Sequence, residues 1–228
     1  MAEQKDYITY VHEVYDYLHT IPELGFEEYK TSAFILSELK KCGFRDEDIV
    51  SGIAGTGILV TIDSGKPGPV LALRADIDAL EFIINGERKI IHACGHDGHT
   101  AILLATAKIL KKHESELDRR VYLVFQPAEE TAEGARFMLK TGVLDSVKRI
   151  YGVHIFNGIP SGKISLEAGP RMAATNWLAV HLYGKSGHAG KPHEGIDTAV
   201  AVSSMVMNMQ TIVSRNLNPL DPAVLTIG

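Results

Sequence analysis

The sequence predicts an α/β protein in which helices alternate with short strands over most of the chain, followed by a partial α+β unit. Apolar side chains recur at helical spacing in 6–19, 27–42, 101–112 and 132–139. Short apolar runs bounded by turn residues predict strands at 57–63, 70–74, 121–125 and 149–154. This alternation is typical of a layered α/β domain.

A second unit follows a turn-like Gly-Pro pair, where the pattern along the chain changes. Residues 176–183 show the two-residue period of a strand, and residues 195–213 show the period of a helix. A final strand is predicted to begin at Ala223. We therefore place a first domain at residues 1–172 and a partial second domain at residues 173–228.

Composition and charge argue against several classes of partner. The formal net charge is -5 and basic residues form no cluster, so we expect no nucleic-acid partner. No apolar run approaches the length of a membrane span, and the N-terminus lacks the apolar core of a signal peptide. We therefore expect no membrane partner. The two cysteines, Cys42 and Cys94, are too few for a disulfide framework, which predicts reduced thiols and a cytoplasmic location.

The densest group of chemically active side chains is His92-Ala-Cys-Gly-His-Asp-Gly-His99. Cys94 and His96 are two residues apart, so on an extended segment they face the same way. Thiolate and imidazole are ligands of zinc-like divalent ions, and the sequence therefore predicts a metal site here. A structural zinc site is the alternative, although it usually has four Cys or His ligands in paired spacing and no second pair is present.

A second group, Gln126-Pro-Ala-Glu-Glu130, follows the predicted strand 121–125. Ligands bind at the carboxyl ends of strands in α/β sheets, so this loop is a candidate for the same site. Two adjacent carboxylates can divide the work, one binding a metal and the other taking a proton from water. The alternative is a solvated pair that opens the next helix, where the helix dipole favours acidic residues.

Further histidines occur at the end of a strand and in a loop of the second unit. His154 ends the predicted strand 149–154, a position that suits a metal ligand, although histidines at strand ends are often simply packed or exposed. Residues 186–193 form a loop rich in Gly and Pro that contains His188 and His193. We expect these two histidines to reach a substrate from a second domain.

Three aspartates are candidates to hold metal-binding histidines in place. Asp76 and Asp78 close a predicted strand, and Asp97 lies inside the histidine-rich group. Histidines that bind a metal usually donate their second N–H to a carboxylate, and we expect these aspartates to accept such bonds.

Together the motifs resemble the M20 metallopeptidase superfamily, in particular its amidohydrolase branch, which includes hippurate hydrolases, N-acyl amino acid amidohydrolases and auxin-conjugate hydrolases. The segments that carry the resemblance occur in the family's order: 19–27, 74–80, 92–100, 126–130, 152–154 and 186–193. The resemblance implies a three-layer catalytic domain at 1–172 with a mixed, mostly parallel sheet. It also implies a partial lid domain at 173–228 that mediates formation of a homodimer.

The resemblance further implies hydrolysis of the amide bond of an N-acetyl or N-benzoyl amino acid, or of a small peptide, with two divalent ions. Zinc and manganese lead the candidates, and cobalt and nickel also suit such ligands. The positions that match metal ligands are Cys94, His96, Glu130 and His154, with Cys94 bridging the two ions. Glu129 matches the general base and acid, and His188 matches the residue that contacts the substrate and stabilises the oxyanion.

Two features depart from the family pattern. Glu81 replaces the usual proline, and the stretch from there to His92 is short. The family's chains also extend further and supply one more metal-binding histidine, which we expect this chain to lack. The alternatives are therefore an inactive remnant that binds metal weakly, or a non-catalytic structural or storage metal protein. A redox role for Cys94 is disfavoured because no Cys-x-x-Cys pair is present.

Overall fold

A computed structural model describes residues 2–169 and 173–227 of the chain. It divides into two compact units, Met1–Ser165 and Leu166–Gly228, which are described separately below. This division precedes the boundary predicted at 172/173, and residue 172 lies outside the described residues.

The first unit is built on a five-stranded sheet in the order β1-β2-β6-β3-β7. Its strands are β1 (Ile49–Ile53), β2 (Gly57–Ile62), β3 (Val70–Asp76), β6 (Val121–Gln126) and β7 (Val147–Gly152). β3 pairs in parallel with β6 and β7, whereas β2 is antiparallel to both β6 and β1. All strands except β2 therefore run in the same direction, which confirms the predicted mixed, mostly parallel sheet.

Helices cover both faces of this sheet and give the three predicted layers. The helices of this unit are α1 (Ala2–His19), α2 (Tyr29–Lys41), α3 (His96–Lys112) and α4 (Gly134–Lys140). On β6, Leu123 and Phe125 pack in one core cluster with side chains of α1, α2 and α3, whereas Val124 packs on the opposite face with Met138 of α4. Burying one such side chain contributes about 1.5–3 kcal/mol, so this alternation fixes the register of β6.

Helix α3 begins earlier than the sequence predicted, at His96 rather than at residue 101. Gly95 has a φ of 84°, a left-handed conformation that lets the chain turn directly into the helix. The prediction that Cys94 and His96 lie on one extended segment is therefore wrong. Cys94 lies in the turn before α3, and His96 is the first residue of the helix.

A separate two-stranded hairpin, β4 (Leu80–Ile84) and β5 (Glu87–Ile91), was not predicted. Its turn residues Asn85 and Gly86 both have positive φ values, 54° and 81°. The Asn-Gly dipeptide is the strongest short-range signal for such a turn, so the sequence did contain the information. The hairpin occupies the short stretch in which the chain departs from the family pattern.

The second unit contains helix α5 (Thr198–Thr211), which continues into a π-helical turn at Ile212–Asn216. The strands predicted at 176–183 and from Ala223 are wrong within the described residues of this unit. A strand needs a hydrogen-bonded neighbour, and the described part of this unit has only an isolated bridge between Lys185 and Ile196. No described helix, α5 included, is long and apolar enough to cross a membrane.

Substitutions on two faces of α3 test the layered core. Leu104 is fully buried, whereas Ile102 is 38% exposed. We expect Leu104→Ala to lower the free energy of unfolding by about 2–5 kcal/mol, because it leaves a cavity between α3 and the sheet. The control Ile102→Ala is expected to cost about 1 kcal/mol or less. Urea unfolding measures both, and equal losses would contradict the assigned faces.

Candidate metal centre

The parallel strands bring the candidate site residues to one edge of the sheet. Asp76, the last residue of β3, pairs with Gln126, the last residue of β6. β7 lies on the other side of β3 and also runs parallel to it, and its last residue is Gly152. His154 therefore lies two residues beyond β7, not at its end as predicted. The loops that follow the three strands emerge side by side, and the start of α3 joins them.

Within this edge, the predicted ligand atoms form two overlapping groups. Ligand atoms of Cys94, His96 and His154 all lie within 4.8 Å of one another, and so do those of His96, Glu129 and Glu130. Cys94 Sγ is 3.5 Å from His154 Nε2. His96 belongs to both groups, so the structure brings all four predicted metal ligands together around its imidazole ring.

The orientation of His96 leaves one ring nitrogen directed at the acidic side chains. Its Nδ1 lies 3.0 Å from the carbonyl oxygen of Asp78 and 3.1 Å from the Asp78 carboxylate. A carbonyl can only accept, so Nδ1 carries the proton and donates it. Nε2 lies 3.7 Å from Glu130 Oε1 and 3.9 Å from Glu129 Oε2, too far for hydrogen bonds.

Two buried polar atoms at this point lack hydrogen-bond partners in the described structure, His96 Nε2 and Glu130 Oε1. Buried polar atoms are normally satisfied, and exceptions call for an explanation such as an ion. A divalent cation between these atoms would satisfy both. The donor set therefore fits the metal that the motifs imply.

His154 is oriented in the same way. Its Nδ1 donates to the backbone carbonyl of Ile155 at 2.7 Å. That bond leaves Nε2 with its lone pair, on the side that faces Cys94. Nε2 is thus oriented to bind an ion.

Asp78 holds two of the candidate ligands at once. Besides its contacts with His96, its Oδ2 accepts a hydrogen bond from the backbone N–H of Glu130 at 3.0 Å. The side chain is fully buried, so no water competes with these partners for its oxygen atoms. Carboxylates that orient metal-binding histidines in this way tune both geometry and basicity.

Asp76 interacts with the second histidine of α3. Its Oδ1 accepts from His99 Nδ1 at 2.6 Å and its Oδ2 accepts from Arg74 at 2.7 Å. Burial alone would raise the pKa of Asp76, but His99 and Arg74 lower it to about 2. His99 Nε2 in turn accepts from the backbone N–H of Ile155 at 2.9 Å. Both nitrogens of His99 are engaged, so it supports the segment that carries His154 and is not free to bind an ion.

Asp97 contacts a different partner from the one expected. Its Oδ2 lies 2.7 Å from His19 Nδ1, and its Oδ1 accepts from the backbone N–H of Gly98. The structure therefore pairs Asp97 with α1 rather than with a predicted metal ligand.

The electrostatic surroundings favour a cation. Burial and the Glu130 carboxylate raise the pKa of the Cys94 thiol to about 12. Burial and the neighbouring Glu129 raise the pKa of Glu130. Burial lowers the pKa of His96, but the contact with Asp78 and nearby acidic groups outweigh it and raise the pKa. A ligand must lose its proton before it can bind an ion. Because the pKa values of these ligands are raised, metal binding is coupled to proton release.

The predicted substrate-contacting histidines lie in the second unit. Backbone hydrogen bonds between Lys185 and Ile196 close the base of their loop. His188 Nδ1 accepts from the backbone N–H of Gly190 at 3.0 Å, which makes Nε2 the protonated nitrogen of the neutral ring. His193 is exposed in the short helical turn Pro192–Glu194 that precedes the base of the loop. Their contact with substrate stays a prediction.

The segment before α2 carries two carboxylates whose contacts the sequence does not predict. Glu23 accepts hydrogen bonds from the backbone N–H groups of Lys30 and Thr31 at the start of α2. Glu28 is fully buried and accepts from the backbone N–H of Ala128. The second contact joins residues 100 apart in the chain, and no local pattern signals it.

Comparison with known sequences assigns the chain to a family. The profile of peptidase family M20/M25/M40 matches residues 72–220, more than half of the chain. The chain belongs to this family. It is 39% identical to IAA-amino acid hydrolase ILR1-like 4 of Arabidopsis thaliana, a match that covers 100% of this chain and 52% of that protein. It is 42% identical to N-acetyl-L-cysteine deacetylase of Bacillus subtilis strain 168, over 93% of this chain and 52% of that protein. The chain thus spans about half the length of these relatives.

Solved structures are also similar to this M20-family chain. A protein of methicillin-resistant Staphylococcus aureus, described as an aminohydrolase, matches with a TM-score of 0.79 and 36% identity over 98% of this chain and 61% of that one. The YXEP protein of Bacillus subtilis, described as a dinuclear metal-binding peptidase of the M20 family, matches with a TM-score of 0.62 and 37% identity. This second match covers 68% of this chain and 45% of that one. Both matches confirm the predicted fold class and family.

Two isosteric substitutions separate the roles of the buried aspartates. We expect Asp78→Asn to weaken Zn²⁺ or Co²⁺ binding by about 10–100-fold, because an amide holds His96 and the Glu130 backbone less well than a carboxylate. Asp97→Asn, which alters the contacts with His19 and Gly98, is expected to leave metal affinity near that of the parent chain. Competition titration against a chromophoric chelator measures both. Equal losses would show that Asp97 supports a metal ligand, as the sequence predicts.

Proposed function

We propose that this M20-family chain carries the metal centre of an amidohydrolase. The proposed substrates are N-acyl amino acids of the N-acetyl or N-benzoyl type, or small peptides. The position of Glu129 is the observation that carries the proposal. Its carboxylate is 42% exposed and lies 3.9 Å from the unpartnered Nε2 of His96, in a loop whose neighbouring backbone N–H groups, those of Ala128 and Glu130, donate to Glu28 and Asp78. It can thus reach both solvent and the metal ligands, as a general base must.

The relatives support this assignment through their names. One is named as a deacetylase of N-acetyl-L-cysteine and another as an IAA-amino acid hydrolase, and both names describe hydrolases that act on amino acid derivatives. A structural neighbour is described as a dinuclear metal-binding peptidase. Two divalent ions in this chain, homodimer formation through the second unit and a cytoplasmic location belong to the same proposal.

The chain's residues would divide the reaction among them. When bound by Cys94, His96, Glu130 and His154, divalent ions supply Lewis acidity that activates water and polarises the amide carbonyl. Glu129 accepts a proton from the attacking water and returns it to the leaving amine as the C–N bond breaks. His188, whose Nε2 carries the proton, donates a hydrogen bond to the oxyanion.

A purely structural metal site fits the donor set less well. Structural zinc sites are closed tetrahedra of Cys and His ligands. Here the unpartnered imidazole nitrogen faces carboxylates, and one of them, Glu129, is 42% exposed. A solvent-facing carboxylate beside the ligands is expected for a site that handles a proton.

A charge-neutral substitution of Glu129 tests the proposed general base. We expect Glu129→Gln to lower turnover by about 10²–10⁴-fold, since the amide cannot accept the proton, while metal content stays unchanged. The matched control is Glu133→Gln, a nearby exposed residue that should behave like the parent chain.

The measurement is hydrolysis of a panel of N-acetyl and N-benzoyl amino acids, with metal content determined in parallel. Near-parental turnover by Glu129→Gln would contradict the assigned base. An absence of turnover by the metal-loaded parent chain would contradict the proposed activity for these 228 residues.

A pair of cysteine substitutions tests the proposed ligand set. Cys94 and Cys42 are both free thiols of intermediate exposure. We expect Cys94→Ser to lose most bound metal, because a serine hydroxyl is a far weaker ligand than a thiolate. Cys42→Ser should retain the parental metal content. Elemental analysis of the dialysed proteins provides the comparison, and full metal content in Cys94→Ser would remove Cys94 from the ligand set.

A further inference from the structure

We propose that Glu28 is a positioning residue that sets the direction of the Glu129 side chain through the backbone of Ala128. Glu28 precedes α2, and Ala128 lies in the loop after β6, next to Glu129. Because Glu129 is the general base proposed above, this inference rests on that proposed function.

Ala128 has an unusual backbone conformation. Its φ is 49°, in the left-handed region that residues other than glycine rarely occupy, and it is fully buried. Such conformations persist only where surrounding contacts impose them, and they cluster at functional sites. Because Ala128 immediately precedes Glu129, its backbone angles decide where the Glu129 side chain points.

Glu28 supplies a contact that imposes this conformation. Its Oε1 accepts from the backbone N–H of Ala128 at 2.8 Å, and its Oε2 accepts from the Thr56 hydroxyl at 2.5 Å. Hydrogen bonds to a carboxylate are shorter and stronger than neutral ones. Glu28 is itself fully buried, so no water competes for either oxygen. Without it, the Ala128 N–H would be buried and unsatisfied, and the peptide would turn to find another acceptor.

The other contacts of this loop hold different groups: the Ala128 carbonyl accepts from the backbone N–H of Gly134 at 3.1 Å and from the Thr131 hydroxyl at 3.2 Å, which leaves the Ala128 N–H to Glu28. The backbone N–H of Glu130, a proposed metal ligand, is held separately by Asp78. The segment that carries Glu28 also lies very close to the loop. A Cβ added to Gly25 would come within 3.0 Å of Ala128 Cα. Loss of the Glu28 contact should therefore displace Glu129 and leave Glu130 in place.

Two substitutions of Glu28 distinguish the effect of side-chain length from the effect of negative charge. Glu28→Gln keeps the length of the side chain, so its carbonyl can still accept from Ala128 while its NH₂ group faces the Thr56 oxygen. Glu28→Asp keeps the negative charge but is shorter by one methylene, so its carboxylate is drawn back from the Ala128 N–H and loses that hydrogen bond. If Glu28 positions the Ala128 backbone, Glu28→Gln should retain more activity than Glu28→Asp. If its negative charge matters, the order should be reversed.

The experiment measures kcat, KM and metal content of both variants in the metal-loaded chain. We expect Glu28→Gln to stay within about threefold of the parental kcat, and Glu28→Asp to lose about 10²-fold, the effect of a misplacement near 1 Å. KM and metal content should change little in either variant. The control Thr56→Val removes the contact at the other carboxylate oxygen and should leave kcat near the parental value.

A readout independent of turnover distinguishes failure of this inference from failure of the proposed function. Hydrogen exchange of ¹⁵N-alanine amides should show lost protection at Ala128 in Glu28→Asp, with Ala72 of β3 unchanged as an internal reference. An inactive parent chain would contradict the proposed function, but this amide comparison would still test the positioning. Equal kcat in the Asp and Gln variants, metal loss in proportion to kcat, or unchanged protection at Ala128 would overturn the inference.

Discussion

The parallel pairing of β6, β3 and β7 is the constraint on which the rest of the site depends. Parallel strands share a carboxyl edge, so this pairing alone gathers the loops that carry Asp78, Glu129 and His154, which are far apart in the chain. The start of α3 then adds His96 from the crossover between β3 and β6. Ligands from separate segments converge because the sheet fixes their starting points. A disturbance of the sheet register would therefore affect several of them together.

Buried carboxylates convert this convergence into a defined geometry. Asp78, Asp76 and Glu28 are all almost inaccessible to solvent, and each accepts hydrogen bonds from named donors on other segments. A buried charge is costly unless it is paired or hydrogen-bonded, so each carboxylate strongly favours the one arrangement that satisfies it. The site thus depends on a polar network whose energetic penalty the apolar core of the first unit has to offset. Such a network specifies positions of side chains more sharply than apolar packing does.

The sequence predicted the parts of this structure that have a local signal. The structure contains the strand β6 predicted from its continuous apolar run and the helices α1 and α2 predicted from their apolar spacing. It also brings potential ligands together around Cys94. The early start of α3 was missed because it depends on the backbone conformation of Gly95, which periodicity does not report. The pairing of Asp97 with His19 and that of Glu28 with Ala128 join distant segments, so nothing in their neighbouring residues reveals them. The Asn-Gly turn of the β4–β5 hairpin, by contrast, is a local signal that the sequence itself contains.

The central claim is that an open metal centre forms around His96, with a carboxylate left beside it to move a proton. The most direct test is anomalous X-ray diffraction from crystals grown with Zn²⁺ or Co²⁺, which locates bound ions independently of activity. We expect anomalous density beside His96 Nε2, within reach of Cys94, Glu130 and His154, and we expect Glu129 to lie next to the ion with one side open to solvent. An ion held by Asp76 and His99 in a closed shell, or density only at surface residues elsewhere, would contradict it.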